Sequence, residues 1–358
     1  MNIMITAVGD ANVGAQIYSA LQNLPDYEIS ITNIVPLTTG NPDNFILAPL
    51  ASSKIYINFI LETCIDRKIE MLIPGSEAEL AVISKHRRLF KEKGITLLMN
   101  TEQVLDTCLD KEKTVEFLKK NNFNYPRTVK IHLEKRVELI LDSIEKEIMP
   151  PYVLKPNVGA GGSKDIYIIQ SREEALHILN YIKLTSHGQF IAQEYVGSYN
   201  EEYTIGVMSN QQAKAYSAFV LKRNLTSTLS VRNIVKNQCF KRIKDDNLII
   251  STGISQGHVG DYPKLKKFAF NVANAIGSIG PLNIQCRIHN EDIYIFEINP
   301  RFSGTTSIRA LCGHNDPEIM ISELTSKDFT SKQIPYTHGL AIRSLKNQFI
   351  PEKGNRNE

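Results

Sequence analysis

Three side chains that can bind a cation or a phosphate occur at alternate positions near the carboxyl end of the chain. They are Glu297, Asn299 and Arg301. Alternate residues of a β-strand project to one face, so the pattern predicts that these three share a face, with Phe296 and Ile298 packed behind them. Carboxylate and amide oxygens suit a hard cation, and a guanidinium suits phosphate. The run therefore predicts a site for a cation that carries a polyphosphate.

A second strand, immediately before this run, repeats the alternation. Asn283, Gln285 and Arg287 would share its polar face. A three-residue loop at 290–292 would then place Gln285 opposite Glu297. Ile293 and Ile295 are expected on the same face as Glu297, which favours an enclosed site over a solvated sheet edge. We therefore expect a hairpin whose polar face is buried because it binds a ligand.

A lysine followed by a glycine-rich loop forms the second motif. Lys155 ends a predicted strand, and Gly159, Gly161 and Gly162 follow it. Glycines let successive backbone N–H groups turn toward an anion, and the lysine adds a positive charge. The order of residues is not that of a P-loop. An anion-binding loop and a flexible hairpin loop with an exposed lysine both remain open.

The elements that would position these motifs follow from hydrophobic periodicity. In the first hundred residues, strands are predicted at 2–8, 29–35, 71–73 and 95–99, with helices at 13–24, 54–67 and 77–91. This alternation is typical of a parallel sheet covered by helices. The turn at 8–14 half-matches a dinucleotide loop, but Ala11 stands at its middle glycine, which favours a simple strand-to-helix turn. Antiparallel strands are predicted from 201 to 222, and a helix at 262–278.

Composition excludes several classes. The chain has 358 residues, of which 42% are hydrophobic and 22% charged, and a formal net charge of +3. Near-balanced charge without a long basic run argues against nucleic-acid binding, and no apolar run is long enough to cross a membrane. The five cysteines have no metal-binding spacing. These features predict a cytoplasmic enzyme with free thiols that acts on small molecules, and they leave a homodimer open.

The order of the lysine, the glycine loop, the Gln193–Val196 connector and the terminal hairpin resembles the ATP-grasp superfamily. It is most similar to the branch of the carbamoyl-phosphate synthase large subunit and the amino-acid ligases, over residues 1 to about 324. The resemblance implies an α/β and α+β fold. A Rossmann-like parallel domain would span 1–108, a lid subdomain with a lead-in helix 109–194, an antiparallel subdomain with the metal site 195–326, and a final strand and polar tail 327–358.

The resemblance also implies nucleotide-binding residues. Lys111 and Lys155 would contact the α- and β-phosphates, and the glycine loop would close over the triphosphate. The backbone at Glu194, Tyr195 and Val196 would contact the adenine edge, and Glu202 the ribose hydroxyls.

The metal set implied by the resemblance is Gln285, Glu297 and Asn299, which would bind Mg²⁺, with Mn²⁺ as an alternative. Most other branches have an acidic residue where this chain has Gln285, which implies a weaker hold on a second ion. Arg301 would lie beside the transferred phosphoryl group.

Three further positions leave alternatives open. His258 would stabilise an acylphosphate-type intermediate or cap the following helix. Arg287 is favoured over Arg309 for binding a substrate carboxylate, because Arg309 could equally be a charge on a helix surface. Glu77 would contact substrate, although capping of the next helix by Ser76 and Glu79 explains that segment equally well.

The function implied is that of a ligase, joining a carboxylate to an amine or a thiol. Mg·ATP would phosphorylate the carboxylate, and attack on the acylphosphate would leave ADP and phosphate. A kinase of bicarbonate or carbamate is the alternative within enzymes. A nucleotide-binding regulatory or assembly protein is the alternative from another class.

Overall fold

A computed structural model describes residues 1–9, 12–37, 42–159, 165–186, 188–326 and 329–344. Gly161 and Gly162 of the predicted anion-binding loop, Ala11 of the first turn and the polar tail lie outside these ranges. The remaining predicted site residues all lie within them.

The amino-terminal unit is a five-stranded parallel sheet in the order β3-β2-β1-β4-β5. Its strands are β1 (Asn2–Ile5), β2 (Glu28–Asn33), β3 (Phe45–Leu47), β4 (Met71–Ile73) and β5 (Thr96–Leu97). Its helices are α1 (Val13–Leu21), α2 (Tyr56–Asp66), α3 (Glu77–Ser84) and α4 (Arg87–Glu92). The predicted parallel α/β unit is confirmed. The single helix predicted at 77–91 is wrong, because it is interrupted between Ser84 and Arg87.

Two short helices lead from this unit to a four-stranded antiparallel sheet in the order β6-β9-β7-β8. The lead-in helices are α5 (Glu102–Leu109) and α6 (Lys111–Lys120). The sheet comprises β6 (Thr128–Ile131), β7 (Tyr152–Pro156), β8 (Tyr167–Ile169) and β9 (Phe190–Glu194), packed against α7 (Val137–Glu145) and α8 (Arg172–Thr185).

The carboxyl-terminal unit is a six-stranded antiparallel sheet in the order β16-β15-β10-β11-β14-β17. Its strands are β10 (Glu202–Ser209), β11 (Ala215–Arg223), β14 (Gly257–Val259), β15 (Pro281–His289), β16 (Asp292–Asn299) and β17 (Gly339–Ala341). A separate hairpin pairs β12 (Val231–Lys236) with β13 (Asn247–Ser251), and the helices are α9 (Pro263–Ile276), α10 (Thr306–Leu311) and α11 (Asp316–Thr325). A 3₁₀ turn at Tyr199–Glu201 precedes β10.

The β15–β16 hairpin differs from the prediction at its turn and at one bulge. Asn290 and Glu291 form a two-residue turn, both with positive φ (49° and 69°), and His289 pairs with Asp292. The pairing then shifts by one residue at Phe296, between the pairs Gln285–Glu297 and Cys286–Ile295. The predicted three-residue loop is therefore wrong, whereas the predicted pairing of Gln285 with Glu297 is confirmed.

The bulge also reverses the faces on its turn-proximal side. Ile293 and Ile295 point into the hydrophobic core beneath the sheet, together with Ile298, rather than toward the face of Glu297. Phe296, which was expected behind the polar face, lines the cleft above it.

Candidate active site

One cleft between the four-stranded and the six-stranded sheets brings most of the predicted site residues together. Those that line it are Lys111, Lys155, Glu194, Tyr195, Val196, Glu202, Gln285, Arg287, Glu297, Asn299 and Arg301. We call the part around Lys111, Lys155 and Glu297 the lysine end. The part around Glu194, Tyr195 and Glu202 is the arginine end, after the side chains that hold its carboxylates.

At the lysine end, adjacent strands present to the cleft the carboxylate of Glu297 and the amides of Gln285 and Asn299. Gln285 lies opposite Glu297, and Asn283 lies opposite Asn299. The Asn299 Oδ1 accepts a hydrogen bond from Arg301 Nη2 at 3.1 Å. These oxygens are the donors that Mg²⁺ prefers, but only one is charged, so a bound ion would need further oxygens from water or phosphate. Within the described ranges, no group of three or more His, Cys, Asp and Glu could hold a metal.

Lys155 is buried at the same end, and no carboxylate of the described residues pairs with it. Its Nζ donates to Gln193 Oε1 at 2.7 Å and to the Phe296 carbonyl at 3.5 Å. Burial, together with the charge of Lys111, lowers the pKa of Lys155 to about 7, while Glu297 raises it slightly. An anion bound beside Lys155 would raise its pKa and favour the protonated form, so this lysine is suited to bind an anion. Gln193 was not predicted as a partner, because the contact joins two strands of the sheet.

Lys111 reaches the cleft because it begins α6. Asp110 caps that helix by accepting from the backbone N–H groups of Glu112 and Lys113, at 2.9 and 3.2 Å. Asn157, two residues beyond Lys155, donates to Asp110 and accepts from the Glu112 N–H, both at 3.0 Å. These bonds fix the start of the helix against the end of β7. The Lys111 Nζ donates to the Asn157 carbonyl at 3.4 Å, another uncharged acceptor.

Gly159 is the one glycine of the predicted loop that the structure describes. It has φ +76°, and a Cβ there would meet nothing within 4 Å. Gly159 also lies beside a small cavity bordered by Lys111, Glu297 and Asn299. The backbone thus turns above the lysine end in a conformation that glycine favours.

At the arginine end, Glu194 lies between two arginines. Arg127 donates from Nε and Nη2 at 3.2 Å each, and Arg242 forms a second ion pair with Oε1. Burial raises the pKa of this carboxyl, but hydrogen bonding to Arg127 and the charges of both arginines outweigh it, so the pKa lies below its ordinary value. The Glu194 side chain therefore holds the connector in place.

Glu202 lies between two further arginines and is 1% exposed. Its Oε1 accepts from Arg223 Nη1 at 3.0 Å, and its Oε2 accepts from Arg287 Nε at 3.0 Å. Burial opposes the charge of Glu202, yet Arg287 and Arg223 hold its pKa below the ordinary value. The carboxylate borders the cleft, but each of its oxygens already accepts a hydrogen bond from an arginine.

Arg287 thus lies at the arginine end, where it pairs with Glu202. It stacks over the ring of Tyr195 at 4.4 Å and donates to the carbonyls of Ile249 and Val196. Arg223, which the sequence reasoning did not assign to the site, also donates to Ser251 Oγ and the Thr252 carbonyl at 2.8 Å. Its sequence signal is weak, a second charge after Lys222 at the end of a mainly apolar strand.

Apolar side chains complete the walls of the arginine end. They come from both sheets and from the β12–β13 hairpin: Val153, Ile166, Tyr195, Ile249, Ile250 and Phe296. Such walls suit a flat, largely apolar ring. The Val196 N–H lies at the same end of the cleft, and the described part of the chain offers no acceptor for it.

Glu77 joins the lysine end from the amino-terminal unit. It accepts from Arg301 Nη2 at 2.6 Å and Nε at 3.1 Å. Ser76 caps α3 by accepting from the Glu79 N–H at 3.3 Å, so the capping alternative for Ser76 and Glu79 is confirmed. Glu77 does not take part in that cap and borders the cleft.

The structure separates His258 and Arg309 from the cleft. His258 is exposed, its Nδ1 lies 3.1 Å from the hydroxyl of Tyr262, and it does not line the cleft. No side chain caps α9 at Tyr262, so the alternative that His258 caps this helix is wrong. Arg309 is 1% exposed and forms an ion pair with Asp316, so the alternative of a helix-surface charge is wrong.

Two protein families match parts of the chain. Residues 239–348 match the family described as ATP-grasp in the biosynthetic pathway with Ter operon, and residues 3–98 match the PylC-like N-terminal domain. The chain is also similar to carbamoyl phosphate synthase large chains. It is 21% identical to that of Thermoplasma acidophilum and 22% identical to that of Clostridium acetobutylicum, covering 76% and 79% of this chain. It spans about a quarter of the length of these relatives (25% and 24%).

Solved structures define the fold. The biotin carboxylase domain of the Hydrogenobacter thermophilus 2-oxoglutarate carboxylase, a dimer with MgADP, ADP and bicarbonate, is 16% identical with a TM-score of 0.63, over 93% of this chain and 71% of that one. The ATP complex of Bacillus anthracis D-alanine–D-alanine ligase is 15% identical with a TM-score of 0.57, over 90% and 96%. Staphylococcus aureus N5-carboxyaminoimidazole synthetase with ADP is 14% identical with a TM-score of 0.62, over 95% and 79%.

The chain therefore has the ATP-grasp fold. The predicted resemblance to ATP-grasp proteins, and to the carbamoyl phosphate synthase large chain among them, is confirmed. The similar structures are those of ligases and carboxylases, which contain ATP or ADP and in one case magnesium. Among the described helices, none has the length and apolar character needed to cross a membrane.

Proposed function

We propose that the protein is a ligase that uses Mg·ATP to activate a carboxylate and joins it to an amine. The observation that carries this proposal is the lysine end of the cleft. Two lysines with uncharged partners face a strand pair that presents Glu297, Asn299 and Gln285. Phosphoryl transfer requires neutralised phosphate charge and aligned reactants, and this arrangement can supply both.

The nucleotide would lie along the cleft with its base at the arginine end and its phosphates at the lysine end. Apolar walls and the Val196 backbone would hold the base, while Glu202 would contribute through the arginines it positions or through a ribose hydroxyl. Mg²⁺, held by Glu297, Asn299 and Gln285, would neutralise phosphate charge when bound. Gly159 belongs to the loop we propose as the cover that excludes water from the reaction.

The reaction would proceed in two steps. A carboxylate oxygen of the first substrate attacks the γ-phosphorus, and the bond to the β–γ bridging oxygen breaks to release ADP. Lys155 and Arg301 stabilise the charge that develops on the transferred group. The amine nitrogen then attacks the acyl carbon, phosphate leaves with the electron pair of the C–O bond, and the nitrogen loses a proton. Glu77, paired with Arg301, keeps that guanidinium aimed at the cleft until the anionic groups arrive.

A kinase of bicarbonate or carbamate is a second candidate. The similarity to carbamoyl phosphate synthase large chains and the amide of Gln285 in the metal set favour it. This chain covers about a quarter of the length of those relatives. Under this second proposal, it would therefore catalyse only one of the steps that such an enzyme carries out.

Trapping with hydroxylamine tests the proposal. Purified protein is incubated with Mg·ATP, hydroxylamine and a panel of carboxylic acids, and hydroxamate and ADP are measured. A ligase forms both in amounts that depend on one acid and are lost in the Arg301→Gln variant. ADP that depends on bicarbonate alone would favour the second candidate. Nucleotide binding without ADP or hydroxamate would contradict both and would indicate a non-catalytic nucleotide-binding protein.

A further inference from the structure

Arg343 is a half-buried arginine at the meeting point of three segments. Its Nη1 donates to Gln16 Oε1 at 2.9 Å, its Nε donates to the Ser255 carbonyl at 3.4 Å, and its Nη2 donates to the Gly304 carbonyl. Gln16 lies on α1, Ser255 precedes β14, and Gly304 follows the strand of Glu297. All three acceptors are uncharged.

The arginines that line or support the cleft differ from Arg343 in this respect. Arg301 is paired with Glu77, and both Arg223 and Arg287 are paired with Glu202. Across the ranges that the structure covers, no carboxylate forms an ion pair with Arg343. Burial lowers its pKa, which reflects desolvation without a compensating charge. A desolvated guanidinium of this kind favours an anionic ligand.

The surroundings of Arg343 connect it to the cleft. Gly304 lies three residues beyond Arg301 in the chain. It packs closely against the loop that contains Gly253, so that a Cβ at Gly304 would lie 2.5 Å from the Gly253 carbonyl oxygen. Gly253 and Thr252 border the nucleotide cleft. On the other side, Gln16 lies in the first turn of the helix that follows β1. The carboxyl ends of the strands in the amino-terminal parallel sheet therefore face Arg343. Open α/β sheets bind ligands at this edge.

The hydrogen bonds of Arg343 leave a defined capacity for one ligand. A guanidinium has five N–H donors, of which these bonds use one on each nitrogen. Among the described residues no further acceptor takes the second N–H of Nη1 or of Nη2, and two such donors match the two oxygens of a carboxylate. The backbone N–H of Arg343 donates to Gln256 Oε1 at 3.2 Å, which fixes the base of the side chain.

We propose that Arg343 binds a carboxylate of the substrate that supplies the amine. The acceptor would then be an amino acid or another amine that carries a carboxylate. This inference rests on the proposed ligase function and names the chemical class of its second substrate. Arg301, closer to Glu297 and Asn299, would remain with the phosphoryl group, so the two arginines would serve different anions.

Calorimetric titration tests the inference without requiring turnover. The protein, saturated with magnesium and a non-hydrolysable ATP analogue, is titrated with the protein amino acids and with their carboxamides. We expect at least one acid to bind and its amide to bind about 10- to 100-fold more weakly, since a charge-assisted hydrogen-bond pair is lost. In the Arg343→Gln variant, the affinity for the acid should fall by the same factor, and the affinity for the amide should not change. The Arg343→Lys variant keeps the positive charge but lacks the paired N–H donors of the guanidinium. Its affinity for the acid should therefore lie between those of the wild type and Arg343→Gln.

Arg87→Gln provides a matched control. Arg87 is also half-buried and also donates to a backbone carbonyl, that of Asn100 at 2.8 Å, whereas Arg343 donates to Gln16, Ser255 and Gly304. The Arg87→Gln variant should still bind the acid more tightly than the amide. Equal binding of acid and amide, unchanged preference in Arg343→Gln, or no acid binding while the ATP analogue binds would each overturn the inference. A preserved acid preference without hydroxamate formation would instead contradict the proposed ligase reaction.

Discussion

At the arginine end of the cleft each carboxylate lies between two arginines, whereas at the lysine end the described partners of the two lysines are uncharged. Glu194 and Glu202 are held before any ligand arrives. Lys111 and Lys155 donate instead to carbonyl and amide oxygens. The difference indicates that the arginine end is a preorganised frame. The lysine end keeps its charge for the ligand, which is why we place the phosphates there.

The frame at the arginine end should be most sensitive at Glu202. Glu202→Gln leaves Arg223 and Arg287 buried without a counter-charge, so the free energy of unfolding should fall by about 3–5 kcal/mol. Urea denaturation measures this. The neighbouring Glu201 pairs with Lys222 in a more exposed position. Glu201→Gln should therefore cost less than about 1 kcal/mol. Equal losses in the two variants would show that Glu202 is not the centre of a frame.

The lysine end should respond in activity rather than stability. Lys155→Gln removes a donor aimed at the phosphates, so ADP release should fall by about 10²- to 10³-fold. Removal of a desolvated charge should not lower the urea midpoint. Lys130→Gln is the control, because Lys130 lies on the same face of that sheet but forms an ion pair with Glu112 and does not line the cleft. If both lysine variants lost activity alike, the effect would not come from the cleft.

The lowered pKa of Lys155 adds a pH dependence to the same end. Phosphate binds the protonated lysine, and the free side chain loses its proton around pH 7. Affinity for Mg·ATP should therefore be level below pH 7 with respect to this group. It should fall by up to about tenfold per pH unit above pH 7, until the pKa in the complex is reached. Arginine stays protonated, so Lys155→Arg should abolish this slope. A slope that persists in Lys155→Arg would assign it to another group.

Glu194 should show the smallest effect. Its partners are more exposed than those of Glu202, with the Arg127 and Arg242 side chains 60% and 27% exposed. Glu194→Gln should therefore lower the free energy of unfolding by only about 1 kcal/mol. A loss as large as that of Glu202→Gln would erase the distinction between the inner and outer carboxylates of the frame.

Sequence reasoning located the lysine end well because its signals are local. Alternation within β16 predicted the shared face of Glu297 and Asn299. Its pairing with Gln285 was predicted correctly although the turn was not. The real turn is one residue shorter, and the bulge at Phe296 adds one residue, so the two differences cancel at Glu297. They do not cancel nearer the turn, which is why the faces of Ile293 and Ile295 were predicted wrongly.

The arginine end could not be predicted in the same way. Arg223 and Arg287 reach Glu202 from 21 and 85 residues away in sequence, across strands whose order no local pattern specifies. Arg343 reaches Gln16 across 327 residues. In each case the pairing depends on tertiary packing. The resemblance to ATP-grasp proteins indicated Glu202 but not its ion pairs with Arg223 and Arg287.

The central claim is that the face of Glu297 receives the phosphates of a magnesium-bound nucleotide. The direct measurement is calorimetric titration of ATP into wild-type protein and Glu297→Gln, each with Mg²⁺ and with EDTA. We expect wild-type protein to bind ATP more tightly with Mg²⁺, and the variant to lose that gain while keeping the affinity measured in EDTA. No ATP binding by the wild type, or the same magnesium-dependent gain in Glu297→Gln, would contradict the account.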